Sequence, residues 1–223
     1  MKADIRGVLI DLDDTLVSQS LWLAGAWKAV AAEASKRSGV DPSMFEEGLR
    51  AAAANGSAKG GIIDTAVAAL HLTVPIGPLV EAFSTYRAIT FPPYPGVPAA
   101  LERLRAAVPI ALVTDGQPAI QRAKLNISGL IDMFDAVVLS DELGRQHRKP
   151  DPLPFRTALD ALGVEPQHAA FIGDRPETDI VGAAALGMLT VRVGTGEYAN
   201  LPDVVIPAIK VPDVVAAVDW LLL

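Results

Sequence analysis

The sequence contains no cysteine among its 223 residues. Disulfide bonds, thiol catalysis and cysteine-ligated zinc are therefore excluded. It also lacks an apolar run of about 18 residues, the length that a membrane-spanning helix needs, and its first apolar run is too short for a signal peptide. Aromatic residues make up only 5% of the chain, which favours close-packed helices over aromatic cages. These absences predict a cytoplasmic protein that contacts no membrane.

Positive charge is in the minority along the chain. Lysine and arginine number 19 against 26 aspartates and glutamates, which gives a formal net charge of −7. Nucleic acids and membrane surfaces attract basic patches, so this balance argues against both kinds of partner. A small anionic substrate is compatible with it where the site itself is locally positive. The hydrophobic share of 51% is ample for a sizeable core.

Hydrophobic patterning divides the chain into two kinds of region. Residues 6–12 form a short, continuous apolar run that is typical of a buried strand. An alanine-rich stretch with helical periodicity covers 19–90 and predicts four helices. After a proline-rich linker at 91–96, strands and single helices alternate to the end of the chain. Strands are predicted at 108–113, 135–140, 168–172, 188–193 and 204–206.

This alternation predicts the fold class. Strands joined by single helices form right-handed crossovers and a parallel sheet that is covered on both faces. The predicted fold is therefore α/β, a doubly wound, Rossmann-like parallel sheet core with an inserted α-helical cap domain. The predicted boundaries give residues 1–17 and 92–223 to the core and residues 18–91 to the inserted domain.

Polar residues follow the predicted strands at the edge where an open parallel sheet binds its ligands. Taken singly, each is an ordinary turn or helix-cap residue. Asp11 and Asp13 stand out, because alternation along a strand would point both carboxylates the same way and bring like charges together. Asp174, arriving from another strand, would add to the repulsion. A hard divalent ion such as Mg²⁺, which takes oxygen ligands, resolves this conflict.

Four pieces of the sequence stand at this edge, in chain order Asp11-Leu12-Asp13-Asp14-Thr15, Thr114, Lys149 before Pro150, and Gly173-Asp174 with Asp179. Together they resemble the four motifs of the haloacid dehalogenase-like superfamily of hydrolases. The resemblance covers the whole chain, and the inserted helices are similar to the family's helical cap of the first type.

The resemblance implies a Mg²⁺-dependent phosphatase that hydrolyses a small phosphorylated metabolite through an aspartyl-phosphate intermediate. Asp11 would be the nucleophile. Asp13 would protonate the leaving oxygen and then activate the water that hydrolyses the intermediate. The ion would be held by Asp11, the backbone carbonyl of Asp13, and Asp174.

Other members of the motifs are implied to bind the phosphate or to support the site. Thr114 would hydrogen-bond a phosphate oxygen beside Asp115, and Gly116 would leave room for backbone N–H groups to approach. Lys149 would place a positive charge on the transferring group. The supporting roles are implied for Asp179, which would orient Lys149 or a metal-bound water, for Asp14, which would support the turn, and for Thr15, which would hydrogen-bond within the loop.

Two features depart from the family pattern. Arg175 stands where family members often have Ser or Thr, so the outer shell of the metal differs. The loop 144–149 is longer and more basic than usual, which affects the pose of Lys149. His147 in that loop is interpreted as a bystander.

The sequence leaves other reactions open. Dehalogenase members generally lack the second aspartate of the first motif, so Asp13 disfavours that branch. A phosphosugar mutase shares the motifs. A phosphonate hydrolase would need a catalytic lysine in the cap domain, and no feature of the sequence identifies one. A non-catalytic module that binds metal and phosphometabolite is the alternative of another class. Monomer and homodimer are both compatible with the sequence, and the substrate is not determined by it.

Overall fold

A six-stranded sheet is the framework of the chain in the computed structural model, which describes residues 4–54 and 56–223. Its strands are β1 (Gly7–Ile10), β2 (Ile110–Thr114), β3 (Ala136–Leu139), β4 (Ala169–Gly173), β5 (Leu189–Val193) and β6 (Ile209–Val211). Their order across the sheet is β3-β2-β1-β4-β5-β6, and each neighbouring pair runs parallel. The predicted α/β fold class, with a helical insertion after β1, is confirmed.

The strands β1, β2 and β4 are short, largely apolar and buried on both faces. Every residue of β1, β2 and β4 is buried, as expected for continuous aliphatic runs in a parallel sheet between helices. On one face Leu9 packs with Phe155 and Phe171, whose ring centroids lie 5.1 Å apart. Full burial of one such side chain contributes about 1.5 to 3 kcal/mol. This packing fixes Leu9 opposite Phe171 and so sets the two strand ends side by side.

Helices occupy the insertion and the connections between strands. Proline in the first turn starts several of them, because its missing N–H has no partner there in any case. The helices are α1 (Gln19–Ser38), α2 (Pro42–Ala53), α3 (Ile62–Ala69), α4 (Ile76–Thr85), α5 (Val97–Arg105), α6 (Pro118–Ser128), α7 (Pro152–Leu162), α8 (Val181–Ala185) and α9 (Val214–Leu222). A π-helical turn, Pro176–Ile180, leads directly into α8.

Backbone contacts divide the chain into two compact units, residues 1–19 with 90–223 and residues 20–89. The second unit holds a core of its own, in which Phe45, Leu49 and Leu79 are fully buried. Asp41 caps α2, since its carboxylate accepts from the N–H of Ser43 at 2.9 Å. Within the described ranges, each helix is too short or too polar to cross a membrane.

The last strand lies later in the chain than the sequence predicts. Residues 204–206 are exposed and belong to a loop, and the strand is Ile209–Val211. Pro207 cannot donate to a ladder, whereas the N–H of Ala208 bonds the carbonyl of Thr190 at 2.9 Å. Hydrophobicity favoured the earlier segment, but pairing with β5 decided the position.

Candidate active site

The carboxyl ends of β1, β2 and β4 meet at one edge of the sheet because β1 lies between the other two strands. Asp11 directly follows β1, Thr114 is the last residue of β2, and Asp174 directly follows β4. All three residues are buried. The order of the strands therefore brings together residues that lie more than a hundred positions apart in the sequence.

Three buried carboxylates converge at this edge. Oxygens of Asp11, Asp174 and Asp179 all lie within 4.8 Å of one another. Among the described residues, neither carboxylate oxygen of Asp174 has a hydrogen-bond partner. Burial, together with the charges of Asp179 and Asp11, raises the pKa of Asp174 well above its usual range. Oxygen donors that are crowded, buried and unpartnered fit a hard divalent cation such as Mg²⁺.

Lys149 supplies positive charge to this group of carboxylates. Its Nζ lies 2.5 Å from Asp11 Oδ1 and 2.7 Å from Asp179 Oδ1, and it donates to the carbonyl of Val113 at 3.2 Å. Burial disfavours the ammonium, but the charges of Asp11, Asp179 and Asp115 outweigh this effect and raise the pKa of Lys149. The neighbouring carboxylates therefore favour the charged form of the lysine.

The backbone of Lys149 is held as well as its side chain. Asp115 Oδ1 accepts from the Lys149 N–H at 3.1 Å and from the hydroxyl of Ser140 at 2.6 Å. Asp115, predicted to bind substrate, thus contacts the loop that carries the lysine. The neighbouring Arg148 pairs with both carboxylate oxygens of Asp141, at 2.5 and 2.6 Å.

Asp11 combines burial with an ion pair. Burial raises the pKa of its carboxyl to about 7, and the charge of Lys149 opposes that rise. Its Oδ2 accepts from the hydroxyl of Thr15 at 3.4 Å, so Thr15 contacts the predicted nucleophile. The metal-free carboxyl is therefore harder to ionise than an exposed aspartate.

Asp13 does not join the three converging carboxylates. Since β1 ends at Ile10, strand alternation does not set the direction of this side chain. Its Oδ2 accepts from Gln121 Nε2 at 2.9 Å, and its Oδ1 lies 2.6 Å from Lys124 Nζ. The expectation that Asp11 and Asp13 point their carboxylates together by alternation is therefore corrected. The predicted role of Asp13 as a metal ligand concerned its backbone carbonyl and stays a prediction.

Thr114 is linked to Asp13 through one amide. Gln121 Nε2 donates to Thr114 Oγ1 at 2.7 Å as well as to Asp13. The hydroxyl oxygen accepts this bond, and its own proton makes a long, 3.5 Å bond to the carbonyl of Asp115. Gly116 has φ +125°, a backbone conformation that favours glycine.

Asp14 ties three segments together, which extends its predicted role in supporting the turn. It has φ +56°, and its Oδ1 accepts from Gln19 N at 3.0 Å and from the hydroxyl of Tyr94 at 3.3 Å. Its Oδ2 accepts from Glu197 N at 3.3 Å. A Cβ on Gly196 would lie 2.1 Å from Asp14 Cγ, so glycine is required at that position.

A backbone N–H binds the carboxylate oxygen of Asp179 that does not contact Lys149. Asp179 lies in the π-helical turn, and its Oδ2 accepts from Arg175 N at 3.1 Å. A Cβ on Gly173 would lie only 2.5 Å from the same oxygen. The guanidinium of Arg175 lies 4.7 Å from the centre of the Tyr198 ring. Asp179 therefore contacts Lys149, as predicted for a supporting residue, and also belongs to the group of three carboxylates.

Sequence reasoning missed the residues of α6 that hold Asp13. Gln121 and Lys124 are three positions apart, so they share one face of the helix. A polar pair at that spacing, in the helix that follows a site-bearing strand, is the signal that could have found them. It missed Ser140 as well, which carries no motif.

Comparisons with known proteins agree with the geometry of this site. A family model described as haloacid dehalogenase-like hydrolase matches residues 5–187. Glyceraldehyde 3-phosphate phosphatase of Methanopyrus kandleri is 32% identical over 206 residues, covering 88% of this chain and 87% of that protein. Phosphoserine phosphatase of Thermus thermophilus is 42% identical over 126 residues, covering 56% of this chain and 49% of that protein. The match with the Thermus thermophilus protein thus spans about half of that protein's length.

The fold also matches a solved structure. The HAD-hydrolase YfnB of Bacillus subtilis bound to magnesium superposes with a TM-score of 0.74 at 18% identity, covering 98% of this chain and 99% of that chain. At that identity the likeness concerns the fold, which agrees with the topology described above.

Proposed function

Since this chain belongs to the haloacid dehalogenase-like hydrolase family, we propose that it is a Mg²⁺-dependent phosphatase that hydrolyses small phosphorylated metabolites through an aspartyl-phosphate. The observation that supports this most directly is the buried contact between Lys149 and Asp11 beside two further carboxylates. A negative nucleophile attacking a negative phosphate needs positive charge at that place. The curated relatives named above are phosphatases of small metabolites.

Asp11 is the proposed nucleophile. One of its carboxylate oxygens attacks phosphorus, the bond between phosphorus and the ester oxygen breaks, and the phosphoryl group becomes attached to Asp11. The departing oxygen takes a proton from Asp13 and leaves as an alcohol. Asp13, now ionised, takes a proton from water, and that water attacks phosphorus, which releases inorganic phosphate and restores Asp11.

The residues present fit a magnesium ion. We propose that Asp11, Asp174 and the backbone carbonyl of Asp13 hold it, with Asp179 beside them. When bound, Mg²⁺ supplies positive charge to a phosphate oxygen and offsets the repulsion among the carboxylates. Asp174 is the strongest support for this assignment, because its buried oxygens lack protein partners among the described residues.

Lys149 and Thr114 are proposed to bind the phosphoryl group. The neighbouring carboxylates raise the pKa of the buried Lys149 ammonium, and its positive charge stabilises the charge on the equatorial oxygens during transfer. The hydroxyl of Thr114 accepts from Gln121 and donates a long, 3.5 Å bond to the carbonyl of Asp115, which it can exchange for a bond to a phosphate oxygen. Asp115 and Gly116 are proposed to shape the same phosphate loop.

The proposed function is tested by turnover of p-nitrophenyl phosphate, O-phosphoserine and glyceraldehyde 3-phosphate, with Mg²⁺ and with chelator. We expect metal-dependent release of phosphate by the wild-type protein and its loss in Asp11→Asn. The acid-quenched wild-type enzyme should carry a phosphoryl group on Asp11, detectable by mass spectrometry. Asp160→Asn, which makes the same chemical change at an exposed position of α7, is the matched control.

Other outcomes would replace the proposal. Metal binding without turnover of any ester would favour a binding module. Transfer of the phosphoryl group from Asp11 to a second hydroxyl of a sugar phosphate, instead of to water, would favour a mutase. Full activity in Asp11→Asn would exclude the aspartyl-phosphate route.

A further inference from the structure

Two side chains of α6 hold the carboxylate of Asp13, one at each oxygen. We call Gln121 and Lys124 the α6 clamp. Gln121 Nε2 donates to Asp13 Oδ2 at 2.9 Å, and Lys124 Nζ donates to Asp13 Oδ1 at 2.6 Å. With both oxygens bound, the carboxylate has a fixed rotamer and a fixed position.

The lysine of this clamp is unusual in its burial. The side chain of Lys124 is only 2% exposed, and lysines are almost never buried to that extent unless they are paired. Its Nζ also donates to Gln19 Oε1 at 2.7 Å. An exposed pair of this type contributes little, but removing one partner of a buried pair leaves an uncompensated charge. The interaction with Asp13 is therefore a specific feature of the interior and differs from a surface ion pair.

The glutamine couples this arrangement to the phosphate-binding residue. The same Nε2 group donates to Asp13 Oδ2 and to Thr114 Oγ1. One side chain thus sets the distance between the group proposed to protonate the leaving oxygen and the hydroxyl proposed to bind the phosphoryl group. Both members of the clamp lie on one face of a single helix, which makes their spacing rigid.

We propose that Lys124 is a positioning residue that holds Asp13 where it delivers a proton to the departing oxygen. The protonated carboxyl gives its hydrogen to that oxygen and becomes the carboxylate, which accepts from Lys124 and Gln121 as in the structure. The inference rests on the proposed phosphatase function and assigns to the reaction a residue that lies outside the four motifs. Lys124 does not touch the substrate in this proposal, and it acts through the position of Asp13.

The proposal makes a prediction about leaving groups. An alkyl phosphate must be protonated as its alcohol departs, so its hydrolysis depends on a correctly placed acid. A p-nitrophenolate ion leaves without a proton. General acid catalysis typically contributes about 100-fold to 10,000-fold, and that contribution is what a displaced Asp13 would lose on the alkyl ester alone. The ratio kcat/KM is the right quantity, because it reports the steps up to the transfer of the phosphoryl group to Asp11.

The experiment compares glycerol phosphate and p-nitrophenyl phosphate in the Mg²⁺-loaded full-length protein. In Lys124→Met we expect kcat/KM for glycerol phosphate to fall by about 100-fold and that for p-nitrophenyl phosphate by less than about threefold. Lys124→Arg, which keeps the charge and can bond the same oxygen, should recover most of the alkyl activity. Arg122→Met removes a cation from the same helix at an exposed position and should change neither value.

A double-mutant cycle separates positioning from a general structural defect. If Lys124 acts through Asp13, Lys124→Met should have no further effect on kcat/KM for glycerol phosphate in an Asp13→Asn background. Equal losses on both esters, or multiplicative losses in the cycle, would overturn the proposal. If Lys124→Met does not melt cooperatively, Lys124→Gln is put through the same comparison with the same criteria. Absence of any turnover by the wild-type protein would reject the phosphatase function itself, which is a distinct result.

Discussion

The ammonium of Lys149 lies 2.5 Å from the Oδ1 oxygen of Asp11, and both side chains are buried. The two residues are 138 positions apart in the sequence. The carbonyl of Val113 in β2 accepts from the same ammonium, so the lysine bridges the ends of the neighbouring strands β1 and β2. Each charge makes the other tolerable in the interior, so the stability of the core and the reactivity of the site depend on the same contact.

Removing Lys149 should therefore destabilise the protein in a pH-dependent manner. We expect Lys149→Met to lower the free energy of unfolding by about 3 kcal/mol or more at about pH 8, because Asp11 and Asp179 lose the buried cation that pairs with both of them. The loss should be smaller at about pH 5.5, where Asp11 is protonated. Urea unfolding at both pH values measures it. Asp11→Asn should restore part of the loss, and exposed Lys210→Met is the control; an equal loss at both pH values would contradict the charge argument.

The metal-free protein should lose stability as the pH rises. Burial raises the pKa of Asp11 from 3.8 to about 7, so between these values the folded state binds more protons than the unfolded state. Stability therefore falls as the pH rises through this window, by about 2 to 4 kcal/mol in total. Because Mg²⁺ requires ionised carboxylates, the difference in melting temperature between Mg²⁺ and chelator should grow over the same range. Thermal melts from about pH 5 to about pH 8 check both trends, and a stability that rises with pH in chelator would refute them.

Asp174→Asn should make the metal-free protein more stable while removing its response to magnesium. The substitution replaces one of three crowded buried carboxyls by a neutral amide of similar shape, and a gain of about 1 kcal/mol is expected at about pH 8. The melting temperature in chelator should exceed that of the wild type, and Mg²⁺ should no longer raise it. Asp160→Asn serves as the surface control. A variant that melts below the wild type in chelator would show that the carboxylate is stabilised by protein groups alone.

Gly173→Ala should displace Asp179 and weaken both metal binding and turnover. The added Cβ would lie 2.5 Å from Asp179 Oδ2 and 2.7 Å from its Cγ, so the acidic side chain must move. We expect at least about a tenfold drop in kcat/KM and a smaller Mg²⁺-dependent shift in melting temperature. At Gly77, in α4, a Cβ would meet nothing within 4 Å, so Gly77→Ala should leave activity unchanged and increase stability by about 0.5 to 1 kcal/mol. Unchanged metal response in Gly173→Ala would show that the site tolerates the shift.

The sequence was most informative where one local rule decides the outcome. Continuous aliphatic runs near Asp11, Thr114 and Asp174 predicted the three strands that border the site, with ends within two residues of those observed, and these ends meet because parallel strands share a common edge. The rule failed for Asp13, where the backbone leaves β1 after Ile10 and alternation no longer applies. It also failed for the last strand, because pairing with β5 outweighed the hydrophobicity of residues 204–206.

The sequence by itself determined the α/β alternation, the helical insertion and the edge at which the acidic residues gather, since these follow from periodicity and from the direction of parallel strands. Only the tertiary structure decided which carboxylates converge and which are held apart. Asp179 enters the group from a π-helical turn, and Asp13 is held by Gln121 and Lys124 from a helix more than a hundred residues away. Such contacts depend on the packing of elements distant in the chain, and no local pattern records them.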